Sequence, residues 1–121
     1  MAAVAELMRA NLLDVFNERD DDRRRAAIAR IYTDDVTFLD PDATVTGHEA
    51  LDEKARRLLD ESPDFVFTPG GPVLVNHDLG HLAWNLGPAG GEPVVRGIDI
   101  ALVDNGRIAR LYTVLTRAPS S

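Results

Sequence analysis

From Ala3 to Phe16 the apolar residues Val4, Leu7, Met8, Leu12, Val15 and Phe16 return every three or four positions, with Glu6, Arg9 and Asp14 between them. This spacing predicts an amphipathic helix that Asn17 ends. Residues 17–22 form a polar, acidic loop that can cap a second helix over Arg23–Tyr32, with Ile28, Ile31 and Tyr32 inward. Val36–Leu39 reads as a short strand cut by Asp40-Pro41-Asp42, because proline holds its predecessor in extended geometry. After Gly47 a third helix is predicted over His48–Glu61, with Leu51, Ala55, Leu58 and Leu59 as its buried stripe.

Beyond Ser62-Pro63 the period changes to two. Strands are predicted at Phe65–Thr68, Val73–Asn76, Leu79–Leu86, Val94–Val103 and Arg107–Thr116, the last two joined by an Asp104-Asn105-Gly106 hairpin turn. Ala118–Ser121 reads as a frayed tail. Helices followed by a meander of long strands predict one α+β domain over residues 1–121, its helices packed on a curved, mostly antiparallel sheet.

Alternation sorts Val95, Gly97, Asp99, Ala101 and Val103 onto one face of the long strand. Asp99 is thus a lone carboxylate between small neighbours. Turned inward, it needs a partner or a raised pKa, and the small residues leave room beside it. Turned outward, it is a solvated strand residue. In the preceding strand Leu82, Trp84 and Leu86 share one face, and His81, Ala83 and Asn85 the other. Trp84 fits core or pocket wall; His81 fits a second acid/base group aimed into the pocket, or a surface histidine.

Composition narrows the functions. A net charge of −7 over 121 residues argues against nucleic acid and against an anionic membrane surface. No cysteine is present, no signal peptide precedes the first helix, and no apolar run reaches membrane-span length, so a cytoplasmic protein is expected. His48, His77 and His81 show no metal-ligand spacing, the paired glycines lie between strands, and no serine has a nucleophile's setting. No cofactor and no metal are expected. Arg23-Arg24-Arg25 follows three acids and reads as a solvated face with local pairing. The carboxylates remain: Asp40, as general acid/base or as organiser of its own turn, and Asp99.

The element order, Val36-Thr37-Phe38-Leu39-Asp40-Pro41, Gly47-His48-Glu49-Ala50-Leu51, and Gly97-Ile98-Asp99-Ile100 with Asp104-Asn105-Gly106-Arg107-Ile108 together resemble the NTF2-like superfamily. Within it they are most similar to the SnoaL-like and ketosteroid-isomerase-like branches. The resemblance implies a cystatin-like cone, the sheet wrapped around an apolar pocket closed by helices. It places Asp40 where the isomerases carry a proton-shuttling carboxylate, and Asp99 where they carry a hydrogen-bonding acid. In SnoaL-like cyclases the Asp99 position is the general acid/base. The first-helix tyrosine of the isomerases falls near Leu12, an aliphatic residue, while Tyr32 matches a position that supports the hydrogen-bond network in some of them. Leu12, Phe16, Tyr32, Phe38, Trp84 and Tyr112 are the expected pocket walls. The implied function is cofactor-free proton transfer α to a carbonyl, in an isomerisation or cyclisation of a small apolar molecule. The alternative is a non-catalytic binding or dimerising accessory domain. A homodimer through the open sheet face, with Val94, Ile98, Ile100 and Leu102 as its apolar row, is expected with either.

Overall fold

A computed structural model describes residues 3–117; the tail at 118–121 lies outside the described residues. The first helix, α1 (Val4–Ala10), continues without a break into a π-helical turn over Asn11–Phe16. The apolar period predicts one helix there but not the change of winding. α2 (Asp21–Ile31) begins two residues earlier than predicted, because Asp20 is its cap and accepts a bond from the Arg23 N–H at 2.8 Å. Tyr32 leaves the helix and opens strand β1 (Tyr32–Leu39), which pairs with a short β2 (Thr44–Thr46) that the pattern does not announce. Then come α3 (His48–Glu61), β3 (Phe65–Pro69), β4 (Leu74–Asn76), β5 (Leu79–Pro88), β6 (Val95–Asp104) and β7 (Arg107–Arg117).

The seven strands form one sheet in the order β2-β1-β7-β6-β5-β3, with β4 also on β5. All pairings are antiparallel except β1 with β7. Register shifts in β1/β7 and at two points of β6/β7 curve the sheet, as bulges do. The β6–β7 turn places Asn105 and Gly106 at φ 51° and 77°, the left-handed geometry of a two-residue hairpin that Asn-Gly adopts readily. The expected α+β architecture, three helices on a curved mixed sheet, is what the chain forms.

The core lies between the concave face and the helices. Leu7, Met8, Leu12 and Val15 from the first helix meet Leu82, Ala101, Ile108 and Leu111 from the sheet. A polar network ties the helices together behind this core. Arg24 is fully buried, donating to Asp52 on α3 at 2.7 Å, to Asp21, and to the Glu18 carbonyl. This corrects the solvated reading of the arginine run: its middle residue turns inward to a carboxylate 28 positions away. Arg19 donates to the carbonyls of Leu59, Ser62 and Phe65, satisfying groups that the end of α3 leaves open.

Candidate active site

Strand register decides which side chains meet. Leu82 lies opposite Asp99 and Trp84 opposite Gly97, so Trp84 shares the concave face with Asp99. Asp99 also faces Thr113 on β7. The carboxyl is 4% exposed and accepts three hydrogen bonds. Its Oδ1 takes the Trp84 indole N–H at 3.0 Å and the Thr113 hydroxyl at 2.8 Å, and its Oδ2 takes the Asn11 amide at 2.9 Å. Asn11 in turn accepts from the Tyr32 hydroxyl.

Burial pushes the Asp99 carboxyl up to about 6, and the bonds from Thr113, Trp84 and Asn11 pull the other way. The Tyr32 phenol is driven well above its ordinary value by burial and then by the Asp99 charge, so it stays a donor. Three donors converging on one carboxyl suit its anion. At pH 7 roughly nine-tenths of it is ionised, yet it can hold a proton at little cost.

The room beside Asp99 serves the protein itself. A Cβ on Gly97 would lie 2.3 Å from Cζ2 of Trp84, so glycine lets the indole lie flat across β6 and reach the carboxyl. Gly97→Ala is therefore expected to displace Trp84, shift its fluorescence (it is the sole tryptophan) and cost about 1–3 kcal/mol. The Asp99 titration then moves upward as a donor is lost. An unchanged emission spectrum would show that the indole is not held this way.

In front of Asp99 opens a cavity of about 310 Å³. Phe38, Phe16, Phe67 and Trp84 form an unbroken aromatic wall, with centroid separations of 5.6, 6.4 and 5.3 Å along the series. Leu12 and Asp40 also line it, so six of the nine residues predicted from sequence border one cavity. Asp40 is held differently from Asp99. Burial raises its carboxyl, but the bonds from Lys54, Ala43 and Asp42 and the Lys54 charge outweigh that and leave it below its usual value. Lys54 Nζ is 2.7 Å from its Oδ2, and the Asp42 and Ala43 N–H groups reach Oδ1 at 2.9 and 2.8 Å. Asp40 thus both organises its turn and faces the pocket.

Three placements differ from expectation. Tyr32 is fully buried behind Asn11 and acts on Asp99 at one remove rather than as a wall. His81 pairs with Ile100, and Tyr112 with both Ile100 and Leu39, so both lie on the convex face, away from Asp99. A strand that turns Trp84 inward must turn His81 outward. Asn11, Lys54 and Phe67 were not foreseen as site residues. Asn11 falls four after Leu7 and four before Val15, and Lys54 three after Leu51 and four before Leu58. Each is a polar residue on an apolar stripe, and that was the available signal.

Among the described residues no three His, Asp or Glu side chains gather to hold a metal, and no helix is long and apolar enough to cross a membrane.

Solved structures with the same fold are numerous. A proposed isomerase of the SnoaL-like family from Agrobacterium tumefaciens superposes with TM-score 0.85 at 21% identity, covering 91% of this chain and 94% of that one. A proposed ketosteroid isomerase from Kribbella flavida gives 0.71 at 21% identity, covering 98% and 81%. A proposed polyketide cyclase from Sinorhizobium meliloti gives 0.71 at 19% identity, covering 89% and 93%. At these identities the likeness shows the fold. No curated protein matches the sequence. The model of the SnoaL-like domain matches residues 10–111, a span that contains Asn11, Asp40, Trp84 and Asp99. The chain belongs to the SnoaL-like domain family.

Proposed function

We propose that the cavity is the active site of a cofactor-free isomerase or cyclase in which Asp99 moves a proton α to a carbonyl of a small apolar molecule. The observation that carries this is a buried, triply hydrogen-bonded carboxyl, raised to about 6, at the wall of an aromatic-lined cavity. A base works best when its pKa lies near the working pH, and the cavity's aromatic rings suit a ring-bearing substrate. An Asp99 oxygen takes the α-proton, the C–H pair becomes a C=C bond, and the carbonyl π pair moves to oxygen. In a β,γ-unsaturated carbonyl the enolate is a dienolate, and returning the proton at its γ-carbon isomerises the substrate; in a dicarbonyl, attack of the enolate on the second carbonyl closes a ring and the proton passes from Asp99 to the new alkoxide. The family's proposed isomerases and cyclases support this class of reaction.

The test is exchange of α-protons for deuterium in a panel of cyclic ketones and enones, followed by proton NMR in D₂O. At least one member is expected to exchange faster with the protein than in buffer. No acceleration across the panel, with ligands nonetheless binding, would favour a binding module instead.

A second reading accompanies the first. The convex face exposes Val114, 48% accessible, next to Tyr112, Ile98 and Ile100, an apolar row suited to a homodimer through the open sheet. Sedimentation is expected to give twice the chain mass, and Val114→Lys to return it to the monomer.

A further inference from the structure

Proton abstraction moves negative charge onto a substrate oxygen, and the first helix, which turns Leu12 to the cavity and has no Ser, Thr or Tyr over residues 4–16, offers no hydroxyl to receive it. Among the described residues that line the pocket, Lys54 is the one cation. Lys54, on α3, lines the cavity with its side chain 14% exposed, and Asp40 takes one of its three donors. Among the described residues no second protein acceptor holds the ammonium, so two donors are available to a ligand.

Register places the partner of this cation, Asp40, across the sheet from the base. Leu39, the last residue of β1, pairs with Tyr112, and Thr113 pairs with Asp99, so Asp40, directly after the strand, comes level with Thr113 and two strands from Asp99; both acids line the same cavity. Two strand spacings are about 10 Å. A carbonyl and its α-carbon, with a proton-transfer contact at one end and a hydrogen bond at the other, span about 8 Å. The aromatic wall lies along the same cavity.

From this juxtaposition we infer that Lys54, oriented by Asp40, is the oxyanion donor of the site, selecting substrates whose carbonyl oxygen sits at Lys54 while the α-carbon meets Asp99. The inference rests on the proton-transfer reading of the same cavity. In the step, Asp99 goes from carboxylate to carboxylic acid as the substrate becomes an enolate. The pocket's total charge is unchanged, the Lys54 ammonium keeps its proton, and one anion is exchanged for another nearer the cation. Asp40, Asp42 and Asp99 are the other titratable groups facing the cavity, and all are acids that oppose an anion. The uncharged side-chain hydroxyls lining the cavity are those of Ser62 and Thr113, the latter donating to Asp99, so Lys54 is the group whose charge favours an anion there.

The probe is 2-naphthol, a ring-bearing phenol whose anion mimics an enolate and absorbs at longer wavelength than the neutral form. Titrated in complex with the protein, it is expected to ionise about one unit or more below its value in buffer, a tenfold or greater preference for the anion. Lys54→Met should abolish the shift. Lys54→Arg should retain most of it, which a merely structural ion pair does not predict, and Asp40→Asn should enlarge it by freeing the ammonium, a gain that the double variant Asp40→Asn with Lys54→Met should lose. Unchanged thermal melting of the arginine and asparagine variants keeps the comparison meaningful if the methionine variant unfolds. Naphthol bound neutral, an equal shift in Lys54→Met or Asp40→Asn, or no binding would overturn the assignment. A naphtholate shift that depends on Lys54, with no ketone exchanged, would instead retain the oxyanion subsite and overturn the enzyme reading.

Discussion

Asp99→Asn is expected to slow α-proton exchange by about 10²–10⁴-fold, the range for losing a positioned general base. Asparagine keeps the volume and an acceptor but has no proton-accepting charge, so ligand affinity should survive while exchange does not. In the wild type the rate should rise with pH and level off above a midpoint near 6, where Asp99 becomes ionised. The same residue marks stability. An acid whose folded pKa lies above its unfolded value of 3.8 binds protons more tightly in the folded state, so stability falls as pH rises between about 4 and 6 and is flat above. The fall attributable to Asp99 is of order 3 kcal/mol, and Asp99→Asn should lack it. If Asp99→Asn exchanged protons at the wild-type rate, Asp99 would not be the base.

The second large effect lies behind the pocket. Arg24→Met is expected to cost about 3–5 kcal/mol in denaturant unfolding, because Asp52 loses its buried partner and the Glu18 carbonyl loses its donor. Arg25, 3.2 Å from the other Asp52 oxygen, is half-exposed and holds the loss toward the lower end. Removing both charges, as Arg24→Met with Asp52→Leu, should recover most of it, since an apolar pair of similar volume needs no desolvated ions. A single-variant loss below about 1 kcal/mol would show that water reaches Asp52 once the guanidinium is gone.

Much of the fold was legible because its signals are local. Three- and four-residue steps mark the helices, alternation marks the strands, and Asn105-Gly106 marks the last hairpin. The short β2 escaped, since Thr44-Val45-Thr46 carries a single apolar residue, and so did the π turn, which keeps the same three- and four-residue spacing of buried positions. The site was legible in part. Asp99 between Gly97 and Ala101 stood out as an acid among small neighbours. What filled the space was not readable: the indole comes from β5, and alternation within one strand does not give its register with the next. That register also turns His81 away, which alternation within β5 implies once Trp84 is known to face inward. Asn11 and Lys54 were hidden differently. Counting only apolar positions along a helix passes over the polar residue on the same stripe, and those residues hold Asp99 and Asp40. Arg24 shows the converse, because charge in a run says nothing about which member faces another helix.

The central claim is that Asp99 is a desolvated carboxyl able to carry a proton near neutral pH. The most direct measurement is the NMR titration of its side-chain carboxyl carbon, assigned by the signal that disappears in Asp99→Asn. A midpoint near 6 is predicted, moving upward in Gly97→Ala as the Trp84 bond is lost. A midpoint at or below about 3.9 would mean a solvated or cation-paired acid, and would contradict the account.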